Sequence, residues 1–150
     1  MDPKTFKDIL NFAVEREEEA IKAYGEMMEM AEVPGIKNLM GELQEEERKH
    51  KKLLLDLTGK KIEALEIEDV IDLKISDYLV EEPPSAEMSF QDLLILAAKK
   101  EQKAVDLYSG LRDRAKEEEV KKLFDFLVMQ EKSHKLKLEK EYEVHVLEED

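Results

Sequence analysis

The chain has 150 residues and no cysteine; that length suits one domain with its own core, and the missing thiols exclude disulfides, thiolate metal sites, iron–sulfur clusters and a rubredoxin module. A formal charge of −14, from 38 acidic and 24 basic residues, argues against a nucleic-acid partner, because affinity for a phosphate backbone comes mainly from clustered Lys and Arg. The opening MDPKTFKDIL lacks the basic stretch and apolar run of a secretory leader, and no later segment is apolar for long enough to span a bilayer, so a cytoplasmic protein with no membrane partner is expected.

Thr5 is a good N-cap for a first helix, with Asp8 placed to favour the positive end of its dipole. Along this helix the apolar residues step by threes and fours through Phe6, Leu10, Ala13, Ala20, Tyr24, Met27 and Ala31, and Glu17 fills the one missing place. Val33-Pro34-Gly35 closes a hairpin onto a second helix, whose stripe is Ile36, Met40, Leu43, Leu54 and Leu57. Glu47 and His50 take the vacant places on that stripe, and Thr58-Gly59 ends the helix.

A connection over about 58–88 follows. Ile62, Leu65, Ile67, Val70, Ile71, Leu73, Ile75, Tyr78 and Leu79 make it too apolar for a free linker, so it is expected to pack along the other helices or against a second subunit, up to Pro83-Pro84. A homodimer or higher homo-oligomer is therefore expected. Ser89 caps a third helix through Phe90, Leu94, Ala97, Ala104, Tyr108 and Leu111, with Glu101 in phase. The fourth runs through Val120, Phe124, Leu127 and Leu138, with Glu131 and His134 in phase; no breaker marks the turn near Glu117 to Glu119.

The second pair of helices repeats the first without a gap, since 101 − 17, 131 − 47 and 134 − 50 all give 84. Phe6/Phe90, Leu10/Leu94, Ala13/Ala97, Tyr24/Tyr108, Leu43/Leu127 and His50/His134 are among the identical pairs. Glu17 precedes the first turn by about as much helix, ~20 Å, as separates Glu47 from it, so the two meet at mid-length. A few residues would join hairpins running up-down-up-down, whereas roughly 30 can travel the whole bundle. The predicted fold is all-α: a ferritin-like four-helix bundle of two duplicated antiparallel hairpins, about 5–57 and about 89–146, joined by one long crossover.

Four ionised carboxylates at one level of an apolar core are costly unless compensated, and two divalent cations supply the missing charge. Carboxylate and imidazole donors suit iron, manganese or zinc. In Glu47-x-x-His50 and Glu131-x-x-His134 the i, i+3 spacing stacks both side chains on one helical face, so a single helix can offer both to one ion. Together with Glu17 and Glu101 they reproduce the ligand set of di-iron and di-manganese carboxylate proteins, with Glu47 and Glu131 as the expected bridges.

Glu17-x-x-Ala20-x-x-x-Tyr24, Glu47-x-x-His50, Glu101-x-x-Ala104-x-x-x-Tyr108 and Glu131-x-x-His134 make the chain resemble the rubrerythrin family over nearly its whole length. The resemblance implies two iron ions per chain, peroxide or dioxygen as substrate, and Tyr24 and Tyr108 as hydrogen-bond donors to ligand carboxylates. This chain has Ala104 where rubrerythrins typically carry a further Glu, and no cysteine for their rubredoxin relay, so an oxidoreductase would need a separate electron donor such as a rubredoxin-like protein. An iron-binding ferroxidase or storage protein, and a bundle merely stabilised by metal, are the competing expectations. Glu18, Glu19, Glu45, Glu46 and Glu117 to Glu119 are off the stripe and read as a solvated face, Met27, Met28, Met30 and Met40 as core filler, and His145 as a surface residue.

Overall fold

The computed structural model describes residues 6–58 and 87–149. Within them the chain forms α1 (Phe6–Met30), α2 (Pro34–Thr58), α3 (Phe90–Arg114) and α4 (Glu118–Glu149), and no strand. None of these helices is long and apolar enough to cross a membrane. Thr5, the side chains of Phe6 and His145, and the body of the crossover at 59–86 lie outside what is described.

The starts of α1 and α3, their ends, and the starts of α2 and α4 all differ by the repeat offset of 84. Ser89 caps α3 as expected, and more completely: its hydroxyl accepts from the Asp92 N–H while the Asp92 carboxylate accepts from the Ser89 N–H. The first turn differs from its expectation. The break falls at Ala31–Val33, and Pro34 and Gly35 open α2 rather than close the hairpin. Pro lacks the N–H that a first helical turn leaves unpaired and has the backbone angle a helix start needs, so it begins the helix instead of standing in the loop. The second break likewise falls earlier than Glu117 to Glu119, at Ala115–Glu117, where the repeat register requires it.

α1 packs on α2 and α3 on α4, and the hairpins meet through α1 against α3 and α2 against α4. The core divides into two apolar clusters. One joins Ile9 and Leu10 at the start of α1 to Leu54 and Leu57 at the end of α2, with Leu107, Leu111, Ala115 and Phe124 from the second hairpin's turn end. The other joins Met27 and Ala31, Ile36 and Met40 around the first turn to Leu93, Leu94 and Ala97 at the start of α3 and to Leu138. α2 therefore ends at one pole of the bundle and α3 begins at the other, the placement of helix ends that distinguishes a ferritin-like bundle from an up-down-up-down one.

Among the described side chains the predicted stripes are the observed core, except that Phe90 is only partly buried. Between the clusters lies a single layer of buried polar side chains: Arg16, Glu17, Glu47, His50, Glu101, Glu131 and His134. The phase of the stripe decides what each position tolerates. Phe124→Ala, at a site with no exposure, should destabilise the chain by about 3–5 kcal/mol. Met129→Ala, at a side chain 65% exposed, should stay within ~0.5 kcal/mol, and urea unfolding of the two variants checks the contrast.

Candidate metal centre

Each helix delivers its ligand-type residues to the layer by the same device, an otherwise apolar stripe interrupted once on α1 and α3 and twice on α2 and α4. α1 and α3 bring Glu17 and Glu101; α2 and α4 bring Glu47 with His50 and Glu131 with His134. All six predicted ligands converge, each at most 1% exposed. They form two overlapping groups of potential donors: Glu17, Glu47, His50 and Glu131, and Glu101, Glu131, His134 and Glu47. Glu47 and Glu131 belong to both, which is the position expected of bridging carboxylates.

His50 Nδ1 lies 3.2 Å from Glu47 Oε1, 3.1 Å from Glu131 Oε1 and 3.9 Å from Glu17 Oε2. His134 Nδ1 mirrors it, at 3.3 Å from Glu131 Oε1, 3.0 Å from Glu47 Oε1 and 3.7 Å from Glu101 Oε2. The two imidazoles stack with centroids 5.6 Å apart, and Phe126 meets the His50 ring edge-on at 6.4 Å.

Tyr24 donates its hydroxyl hydrogen to Glu101, and Tyr108 donates to Glu17. Both are hydrogen-bond donors to candidate ligands, as the family resemblance implies, but each serves the lone Glu of the opposite hairpin. The tyrosines thus tie the hairpins together across the repeat's two-fold relation. Burial, followed by the charge of the carboxylate each one meets, pushes both phenols well above their ordinary range, so they remain donors.

The sequence reading missed Arg16. Its guanidinium is 9% exposed and reaches all four carboxylates. Nη1 donates to Glu47 Oε2 and Glu131 Oε2, each at 2.6 Å, and to Glu17 Oε1 at 3.2 Å, while Nη2 is 3.5 Å from Glu101 Oε1. A signal was available in a second heptad row: Ile9, Arg16 and Ala23 on α1 match Leu93, Lys100 and Leu107 on α3, apolar-basic-apolar in both copies. Only Arg16 turns inward; Lys100 pairs with Glu19 at 3.2 Å on the flank. Ala104, buried in one apolar cluster, brings no further carboxylate.

Arg16 engages one oxygen of each Glu. The opposite oxygens, Glu17 Oε2, Glu47 Oε1, Glu101 Oε2 and Glu131 Oε1, are buried without a hydrogen-bond partner, as are both ring nitrogens of His50 and His134. Buried polar atoms are ordinarily satisfied, so a converging set of unsatisfied oxygens and nitrogens calls for a ligand of opposite character. The Nδ1 distances to Glu47 and Glu131, 3.0 to 3.3 Å, match what metal–ligand bonds of ~2.1 Å impose on neighbouring donors, about 3–3.5 Å. The residues present fit two divalent ions of the iron, manganese or zinc type.

Electrostatics point the same way. Burial pushes Glu17 well above the carboxylate range, reinforced by Glu47 and Glu131. Burial also opposes ionisation of Glu47 and Glu131, yet Arg16 and the two imidazoles hold both below that range. Burial disfavours the imidazolium forms too, but the facing carboxylates outweigh it, pushing His50 up to about 9 and His134 to about 12. The difference has a source: Glu101 heads the carboxylates acting on His134, whereas Glu17, itself displaced toward its neutral form, is not among the chief groups acting on His50.

A helical bundle with this layer is a ferritin-like carboxylate protein. The chain belongs to the rubrerythrin family, whose model matches residues 8–142, and the family is one of di-iron carboxylate proteins. Among solved structures, a hypothetical protein from Pyrococcus furiosus superposes with a TM-score of 0.74 at 27% identity, covering 94% of this chain and 90% of that one. No curated protein matches the chain.

Two consequences can be measured. An imidazole must lose its proton to ligate, and the carboxylates here retain those protons up to about pH 9 and 12, so metal uptake should release protons and tighten as pH rises between roughly 6 and 8. Calorimetry in buffers of different ionisation enthalpy counts the released protons. Tyr24→Phe with Tyr108→Phe keeps the packing but removes both donors to Glu101 and Glu17, and should weaken divalent-ion affinity about 10- to 100-fold in the same titration.

Proposed function

We propose that this chain is a non-haem di-iron oxidoreductase that reduces hydrogen peroxide or dioxygen with electrons from a separate donor protein. The observation that carries the reading is the set of unsatisfied buried oxygens and nitrogens contributed by Glu17, Glu47, His50, Glu101, Glu131 and His134, gathered around two shared carboxylates. Membership of the rubrerythrin family supports iron as the metal.

Iron held by these residues would supply the redox chemistry, one electron from each of two ferrous ions. Peroxide reduction then balances as one H₂O₂, two electrons and two protons giving two waters, and the external donor returns the two electrons.

The chain's own residues do the rest. His50 and Glu17 would hold one ion and His134 and Glu101 the other, with Glu47 and Glu131 available to both. Tyr24 and Tyr108 hold Glu101 and Glu17 in place and keep their protons. The apolar clusters above and below the layer exclude bulk water, which strengthens every charge interaction within it.

The test is anaerobic loading with ferrous iron, followed by peroxide or dioxygen and optical spectroscopy. About two irons per chain are expected, oxidised together by a single equivalent of peroxide and re-reduced by an electron-donor protein through repeated cycles. Oxidation accompanied by continued iron uptake would instead establish ferroxidase or storage chemistry. His50→Ala with His134→Ala should abolish stoichiometric binding; a double variant that still binds two irons per chain would sink the assignment.

A further inference from the structure

Arg16 is not required by the ligand set, yet its guanidinium reaches all four of the carboxylates. Its Nη1 lies 2.6 Å from both Glu47 Oε2 and Glu131 Oε2, the two carboxylates shared by the candidate ion positions. A carboxylate that bridges two ions through different oxygens needs both of them, and Arg16 holds one oxygen of each bridge. Charge adds to the conflict, because two divalent ions already balance four carboxylates and a guanidinium kept at contact distance would be repelled by both ions. We infer that the Arg16 guanidinium is an internal counter-ion competing with divalent metal ions for Glu47 and Glu131, and that full loading requires it to withdraw from them. This rests on the di-metal reading of the site.

A way out exists on the structure. Nη2 already lies 3.5 Å from the Lys100 carbonyl oxygen on α3, and the neighbouring Lys100 ammonium joins α3 to Glu19 on α1, which is 46% exposed. A long, flexible side chain can swing its head toward this α1–α3 rim while its stem stays on the apolar surface.

The experiment compares the full-length chain with Arg16→Met and Arg16→Lys, using zinc as a redox-silent probe in calorimetry and measuring thermal unfolding with and without zinc. Arg16→Met removes the competitor and should bind zinc at least about tenfold more tightly than the unsubstituted chain. In chelator it should melt roughly 10 °C lower, because four buried carboxylates lose their cation, and zinc should restore more of its stability than it adds to the unsubstituted chain. Arg16→Lys keeps the charge but loses the fork that reaches several carboxylates at once, so it should fold and bind zinc with intermediate affinity.

Affinity equal to or weaker than that of the unsubstituted chain in Arg16→Met, or in Arg16→Lys should the first fail to fold, overturns the inference and leaves the di-metal site standing. Zinc binding by a variant but not by the unsubstituted chain supports it. Failure of all three chains to bind zinc overturns both readings together.

Discussion

Everything in this bundle is arranged around the need to compensate four carboxylates buried at one level. A fully buried ionised group costs several kcal/mol unless it is paired, and Glu17, Glu47, Glu101 and Glu131 stand within reach of one another with no water-exposed edge. The structure answers with cations and donors taken from all four helices: Arg16 from α1, His50 from α2, His134 from α4, and hydroxyl hydrogens from Tyr24 and Tyr108 on α1 and α3. The two apolar clusters lie on either side of this layer and set its register. A one-residue shift of any helix would carry a carboxylate into hydrocarbon and bring an apolar side chain against the charges.

The duplicated sequence makes the layer nearly symmetric, and the symmetry has physical content. Each tyrosine donates across the two-fold relation, and each imidazole faces both Glu47 and Glu131, one from each hairpin, so neither hairpin completes the site alone. Duplication thus produces one shared centre rather than two half-sites. The exception is the basic pair. Arg16 and Lys100 hold equivalent positions, but a planar guanidinium with several N–H groups can meet several carboxylates at once, whereas the lysine ammonium is met by one exposed Glu. The asymmetry extends to the acids, since Glu17 is displaced toward its neutral form while Glu47 and Glu131 stay ionised.

Much of the centre was legible because its residues break a pattern. Glu17, Glu47, His50, Glu101, Glu131 and His134 each sit where a helix should be apolar, and a charged residue in phase with a core stripe is conspicuous. Arg16 was not legible in the same way, because it occupies the edge of the stripe beside Glu17, where a basic residue reads as solvated; its heptad relation to Ile9 and Ala23 sets it beside buried positions, but Lys100 shares that relation with Leu93 and Leu107 and stays on the flank. The turns were misplaced for a comparable reason. Pro34-Gly35 resembles a loop when read alone, but proline is equally at home in the first turn of a helix, and the choice depends on where the preceding helix runs out of buried positions.

By itself the sequence determined the four helices, their buried faces, the duplication and the depth of six candidate ligands, because helical periodicity and rise are local properties carried by neighbouring residues. The tertiary structure alone decided which tyrosine serves which carboxylate, that Glu47 and Glu131 are the shared pair within reach of both imidazoles, and that Arg16 rather than Lys100 enters the layer. Those choices depend on distances between helices remote in the chain and on competition among charges for the same few oxygens. Neither is encoded in the spacing of residues along a single helix.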